Sequence, residues 1–192
     1  YNCGVVGYHV ERIAAEGMVA LGFVNAPASI APAGGTRPVF GTNPIAFAVP
    51  RAGRPPLVLD QSSSVVAKSE IVVHQQRGEA IPLGWALDRD GNPTTDPAAA
   101  LAGGSMVPSG GYKGAGLALI VELLAAWLTD AHLSIEASSF ADNLGGSPRT
   151  GQFFIAIHSE ALAGPQAGER LERHFAAITD QPGARLPGGR RA

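Results

Sequence analysis

The chain has 192 residues, of which 45% are hydrophobic and 16% charged, with a formal net charge of −2 and one cysteine, Cys3. That length holds one substantial core or two small ones, and that balance excludes a disordered chain. The charge argues against a nucleic-acid binder, which needs a basic face to neutralise phosphates, and a lone cysteine permits no internal disulfide and suits a reducing compartment.

In chain order, Val5 to Glu16 predicts a short helix, with Val6, Val10, Ile13 and Ala14 at helical spacing and Gly17 placed to end it. Met18 to Val24 predicts a strand buried on both faces. Asn25 to Arg37 reads as a Pro/Gly/Ala loop. Gly41-Thr42-Asn43-Pro44 is a turn signature that leads into a strand over Ile45 to Val49. A further strand, Leu57 to Asp60, ends in an acid followed by serines. Val65 to Arg77 fits a helix or a strand, and helix is preferred. Pro82 to Pro97 is turn-rich, with Asp88-Arg89-Asp90-Gly91-Asn92 marking a hairpin or tight turn.

Gly103 to Gly116 reads as a second glycine-rich loop. It precedes Leu117 to Leu128, which is apolar nearly all round and is expected to be a central buried helix. Phe153 to Ile157 predicts a late strand, Glu169 to Ile178 a helix with an apolar stripe, and Ala184 to Ala192 an extended tail. Strands and helices alternate irregularly, which predicts an α/β fold on a mixed sheet. Residues 1–183 are expected to form the body and 184–192 the tail. The longest apolar stretch, Ala115 to Leu128, contains Glu122 and is too short to span a bilayer comfortably. With no leader visible, the expectation is a cytoplasmic protein that needs no membrane. The opening on Tyr1, directly into a turn and a helix, suggests a fragment whose N-terminal portion is missing.

Three loops place small residues beside a strand end or helix start: Asn2-Cys3-Gly4, Gly41-Thr42-Asn43-Pro44, and Gly110-Gly111-Tyr112-Lys113-Gly114. Glycine admits close backbone approach, and a helix N-terminus offers unpaired N–H groups to phosphate. Lys113 is a cation where the helix dipole disfavours one. It is read either as a contact to an anionic ligand or as a surface lysine. Asp60 either accepts hydrogen bonds from ribose hydroxyls or caps the following helix. Glu70 either orients a catalytic group or is simply solvated; two residues from Lys68, it does not face that lysine on a helix. Glu122 calls for a polar partner or an interface. The five histidines are scattered, without the spacing of a metal site. No Walker loop, Rossmann fingerprint or nucleophile elbow is present.

Taken in order, Ala33-Gly34-Gly35, Phe40-Gly41-Thr42-Asn43-Pro44-Ile45-Ala46, Leu59-Asp60, Ile81-Pro82-Leu83-Gly84-Trp85-Ala86-Leu87-Asp88, Pro93-Thr94-Thr95-Asp96-Pro97 and Gly111-Tyr112-Lys113-Gly114 resemble the malate/L-lactate dehydrogenase-like family. This family includes sulfolactate, ureidoglycolate and malate dehydrogenases and reductases of cyclic imines. Each motif alone is weak, but the ordered set is specific and covers nearly the whole chain. The resemblance implies a mixed sheet of unusual, non-Rossmann topology flanked by helices, a homodimer, and NADP or NAD as cofactor.

Carried over by position, the family's cofactor contacts fall on Asn2, Cys3, Gly4, Val5 and Val6, on Asp60, Gln61 and Ser62, on Tyr112 and Lys113, and on Leu186, Pro187, Gly188 and Arg190 of the tail, where Arg191 also lies. Thr42, Lys68 and Ser69 match substrate contacts, and Glu70 matches an acid that helps orient the catalytic histidine. The implied reaction transfers hydride between nicotinamide and C2 of a small 2-hydroxy or 2-oxo acid. The alternatives are an NADPH-dependent reductase of piperideine- or pyrroline-2-carboxylate and a non-catalytic dinucleotide-binding fragment. Two departures matter. Asn2-Cys3-Gly4 stands where many members read His-Phe-Gly, a version nearer the sulfolactate branch. The Ser-His-Gly region that supplies the acid/base histidine is absent, so the chain alone is expected to be inactive.

Overall fold

Val6, Gly7, Val10 and Ala14 line up on one side of the first helix and are buried there, as their spacing requires. The helix ends at Gly17, whose φ of 82° turns the chain back into the first strand. In the computed structural model, residues 3–141 and 144–188 are described. The elements in chain order are α1 (Val6–Ala15), β1 (Met18–Val24), β2 (Ile45–Arg51), β3 (Arg54–Gln61), α2 (Lys68–Arg77), β4 (Ala86–Leu87), β5 (Pro93–Thr94), α3 (Pro97–Leu101), β6 (Ser105–Met106), α4 (Tyr112–Glu122) with a π-helical extension (Leu123–Trp127), β7 (Gln152–His158), α5 (Ser159–Leu162) and α6 (Ala167–Thr179). The chain divides into two compact units: Tyr1–Cys3, Phe23–Ile45 and Gln61–Phe153 form one, and Gly4–Gly22, Ala46–Asp60 and Phe154–Ala192 form the other.

The second unit carries most of a four-stranded sheet of order β3-β2-β1-β7. β2 and β3 are joined only by Ala52 and Gly53, so they run antiparallel, and Gly53 takes the positive φ (65°) that so short a turn needs. α6 presents one buried aromatic, Phe175. Arg51 of β2 lies 5.1 Å over that ring and is held by two 2.7 Å hydrogen bonds to Glu172. The fold is therefore α/β with a sheet order and a hairpin that no Rossmann unit contains, as expected.

The first unit is built around Ile30, Ile71, Ile81, Ala86, Ala100 and Met106, with Phe40, Val66, Trp85 and Leu101 packed against them. β4 is the middle strand of a small antiparallel sheet, pairing Ala86 with Thr94 on one side and with Met106 on the other. The Asp88 motif does form a hairpin. One carboxylate oxygen of Asp88 accepts the N–H groups of Asp90 and Asn92, each at 2.9 Å, and these bonds hold the Asp88 carboxyl below its ordinary range. The ambiguous segment after Val65 is helical from Lys68. α3 has no counterpart in the sequence reading, although its signal is present: Asp96 caps the Ala98 N–H at 2.8 Å and Pro97 opens the helix.

Two expectations need correction. The second glycine loop is shorter than Gly103 to Gly116, since Ser105–Met106 form β6 and helix begins at Tyr112. The following helix is not buried all round. Its inner face is small, with Gly114, Ala115, Ala118, Val121, Ala125 and Ala126 buried. Leu119, Ile120, Leu123 and Trp127 are 44%, 49%, 44% and 70% exposed. The cause is close main-chain packing: a Cβ at Gly114 would stand 2.2 Å from the Ser109 carbonyl oxygen, and one at Gly151 would stand 1.8 Å from that of Ala125. Large side chains do not fit there and point outward. Among the described residues no helix is long and apolar enough to cross a membrane.

Candidate functional site

In the second unit, Asp60 near the end of β3 accepts a 2.7 Å hydrogen bond from the Gly7 N–H in the first turn of α1. The N-cap residue of α1, Val5, provides no side-chain cap. Asp60 therefore caps α1 across 53 residues of sequence, and not the helix that follows it. Position 7 must be glycine for this contact, because a Cβ would lie 2.9 Å from the bonded oxygen. The other oxygen of Asp60, Oδ1, makes no hydrogen bond among the described residues and is available to a hydroxyl donor.

Around this carboxylate lies a groove of about 870 Å³ that takes in Val5, Gly7, Asp60, Leu186, Pro187 and Gly188. Five of these were singled out in the sequence as cofactor contacts. Gly4 is exposed just before α1, at φ 77°. Val6 differs: at 3% exposure its side chain belongs to the core. Tyr8 and Glu11 also line the groove; the sequence signal for them was their place on the polar face of α1. Asn2, Arg190 and Arg191 lie outside the described residues.

The remaining candidates are in the first unit. Thr42 is half-buried in a loop held on both sides. Its carbonyl accepts the Ser63 N–H at 2.8 Å, and a Cβ on the preceding Gly41 would stand 2.1 Å from the Ala26 carbonyl oxygen. Ser62, next to exposed Gln61, shares a hydrogen bond of 3.0 Å with Ser64. Lys68, Ser69 and Glu70 are consecutive in the first turn of α2, all exposed, and the N-cap Ala67 brings no capping side chain. The Glu70 N–H donates to the Ala67 carbonyl at 3.0 Å, which leaves the N–H groups of Lys68 and Ser69 beside the Lys68 cation. Glu70 makes no ion pair among the described residues. One turn further on, His74 is already bound: its Nδ1 lies 2.9 Å from the Ala80 carbonyl oxygen and its ring meets Trp85 edge-on at 5.5 Å. No hydrogen bond joins it to Glu70 among the described residues. Tyr112 and Lys113 form the first turn of α4 and are exposed. Gly111 before them has φ 64° and ψ −123°, which only glycine adopts readily. Cys3 is half-buried in this unit.

Beneath Thr42 lies a polar network whose members the sequence did not assemble. Glu122, 6% exposed, accepts from Asn43 Nδ2 at 2.8 Å and from Ser134 Oγ at 2.6 Å on one oxygen. Its other oxygen accepts the Ser134 N–H. The signal was the lone acid in an apolar helix; its partners come from loops 79 and 12 residues away.

A family profile described as malate/L-lactate dehydrogenase matches residues 1–192. The chain belongs to this family. It is 51% identical over 191 residues to the (2R)-3-sulfolactate dehydrogenase (NADP(+)) of Chromohalobacter salexigens, covering 100% of this chain and 57% of that protein. It is 45% identical over 194 residues to the Delta(1)-pyrroline-2-carboxylate reductase 1 of Burkholderia ambifaria, covering 100% of this chain and 56% of the other. The crystal structure of delta1-piperideine-2-carboxylate reductase from Pseudomonas syringae superposes with a TM-score of 0.85 at 40% identity, over 97% of this chain and 56% of that one. The chain thus spans a little over half the length of these members of the family.

Proposed function

We propose that this chain is the cofactor-binding majority of an NAD(P)-dependent oxidoreductase acting on a small 2-hydroxy or 2-oxo acid, with NADP preferred. The observation that carries the reading is the Asp60 groove. A carboxylate fixed by one oxygen to a helix N–H, with its second oxygen open, suits ribose hydroxyls. The first turn of α1 and the bend at Leu186 to Gly188 border the same space, which leaves room there for the rest of a dinucleotide. When bound, the nicotinamide supplies or accepts the hydride that changes C2 between its 2-oxo and 2-hydroxy states.

The chain's own residues bind and orient. Asp60, Gln61 and Ser62, with Tyr112 and Lys113, contact the cofactor, together with Cys3 to Val6 and the Leu186 to Gly188 bend. Lys113 provides the cation for a phosphate. Thr42, Lys68 and Ser69 hold the acid, and Glu70 orients the histidine that moves the proton at the C2 oxygen. That histidine is proposed to lie in the additional length that the relatives carry. The protein is proposed to be a cytoplasmic homodimer. The exposed Leu119, Ile120, Leu123 and Trp127 favour association, since a contiguous apolar face seldom stays in water.

A second reading draws on the 45% identity to a pyrroline-2-carboxylate reductase: a cyclic imine in place of the 2-oxo acid, on the same cofactor groove. Calorimetric titration of the chain with NADPH and NADH is expected to give saturable binding, tighter for NADPH, with little turnover of any acid. A folded chain that binds neither nucleotide overturns the reading. Turnover of sulfopyruvate at an ordinary enzymatic rate overturns the placement of the proton-transferring group. Restoring the full length and comparing oxaloacetate, pyruvate, sulfopyruvate and piperideine-2-carboxylate separates the two substrate classes.

A further inference from the structure

We propose that Glu122 is a positioning residue. Through Asn43 it holds the Gly41-Thr42-Asn43 loop in a conformation the loop does not adopt by itself, and so fixes where Thr42 meets the acid substrate; the second clause rests on the function proposed above, the first does not.

Asn43 is fully buried and has φ 38°, a left-handed setting uncommon for any residue with a side chain. Pro44 follows it and narrows its choices further. Hydrogen bonds from several parts of the chain over-determine this conformation. The Asn43 side chain donates to the Ala118 carbonyl at 2.9 Å and to Glu122 at 2.8 Å, and its carbonyl oxygen Oδ1 accepts the Ala26 N–H at 3.3 Å. Its main-chain carbonyl accepts the Ser63 hydroxyl at 2.9 Å.

Glu122 in turn is fixed by Ser134, through both the N–H and the hydroxyl. Every bond to Glu122 is one it accepts. A carboxylate fills all of these roles, whereas a carboxamide of the same shape must turn an N–H₂ group toward a donor. The residue sits at the junction where α4 becomes a π-helix, a distortion common beside functional positions. The same helix begins with Tyr112 and Lys113. One rigid rod thus carries the proposed phosphate contact at one end and the anchor of the proposed substrate loop at the other. Ser63 extends the wiring: its N–H donates to Thr42 O at 2.8 Å, and its carbonyl accepts the Ser109 N–H at 2.9 Å.

The test uses Glu122→Gln in the 192-residue chain, read by amide hydrogen exchange. The Ser63 and Ala26 N–H groups, bonded to Thr42 O and Asn43 Oδ1, are expected to exchange faster by about tenfold, roughly the effect of one net hydrogen bond. The Met106 N–H, bonded to Ser29 O in the same unit, is expected to stay protected. Adding Asn43→Gly to Glu122→Gln, which lets the backbone keep a positive φ without an anchor, is expected to restore Ser63 protection but not that of Ala26. A merely structural role predicts instead that all three amides accelerate together and that the glycine rescues none. That outcome, or unchanged exchange in Glu122→Gln, overturns the proposal.

If Glu122→Gln does not fold, Ser134→Ala removes one donor to the same carboxylate. It is expected to give the same pair of accelerations at lower amplitude, and unchanged exchange there overturns the proposal as well. In parallel, sulfopyruvate affinity is expected to fall about tenfold in Glu122→Gln while NADPH affinity holds, in keeping with the loss of one hydrogen bond. A wild-type chain that binds neither ligand refutes the proposed function and leaves the exchange result to decide the role of Glu122.

Discussion

Among the described residues, only the first unit packs glycines tightly against main chain. In the first, Gly41, Gly104, Gly114 and Gly151 each lie against a main-chain carbonyl, where a Cβ would come within 1.8–2.2 Å of the oxygen. In the second, Gly7 and Gly22 lie against side chains, Asp60 for one and Phe154 with Val6 for the other, at 2.9 Å. Backbone cannot retreat from backbone without moving whole loops, whereas a ring or a carboxylate can re-orient. The unit that holds the proposed substrate loop is therefore the less forgiving, and the unit that holds the proposed dinucleotide groove tolerates local adjustment.

The largest expected effect tests this contrast directly. Gly41→Ala should destabilise the chain by about 3 kcal/mol, in the upper range for single substitutions. Gly22→Ala should cost about 1–2 kcal/mol, as overpacking against mobile side chains does. Urea denaturation of both variants measures the order, and a reversed order breaks the contrast.

Next comes Lys113→Ala. It should lower NADPH affinity about tenfold, the scale of one charge-assisted contact, with stability changed by no more than about 0.5 kcal/mol. Unchanged affinity in a folded variant removes Lys113 from the site.

Asp60→Ala should cost about 1 kcal/mol, the usual value of an N-cap, and weaken the nucleotide as well. Asp60→Asn sharpens the point: it keeps an oxygen for the Gly7 N–H, so most of the stability should remain while NADPH affinity falls. Equal losses of stability in the two variants contradict the cap.

The smallest effect concerns acid. The Arg51 hydrogen bond holds the Glu172 carboxyl below its ordinary 4.5, with the charges of Arg51 and Arg54 acting in the same direction. A depressed carboxyl contributes stability that is complete above its ordinary value and is lost as pH falls through the value in the folded protein. Melting temperatures measured downward from about pH 5 should fall less steeply in Glu172→Gln than in the wild type. Identical slopes indicate that water screens the pair completely, as it does for many exposed ion pairs.

Local signals in the chain already placed α1, β1, β2, β7 and α6 within a residue or two, because the helices show a helical period and the strands are short apolar runs. The Asp88 hairpin was equally legible, since the side chain that makes the turn lies within it. Short elements were not. α3 and β6 span five and two residues, too short for a period, and Ala100 and Met106 anchor them in the core around Ile81.

The ordered motifs identified the family, and the strand-end acid singled out Asp60. The helix that Asp60 caps was beyond reach, because its partner Gly7 is 53 residues earlier and a carboxylate does not announce which N–H it will find. Composition likewise misled about α4. Its apolar residues predicted burial on every side, but only its small residues fit where other main chain crosses it. Glu122 unites both lessons. The sequence by itself determined that a lone acid in an apolar helix needs donors. Only the tertiary structure decided that Asn43 and Ser134 supply them, since hydrogen bonds between distant loops depend on where packing brings the chain.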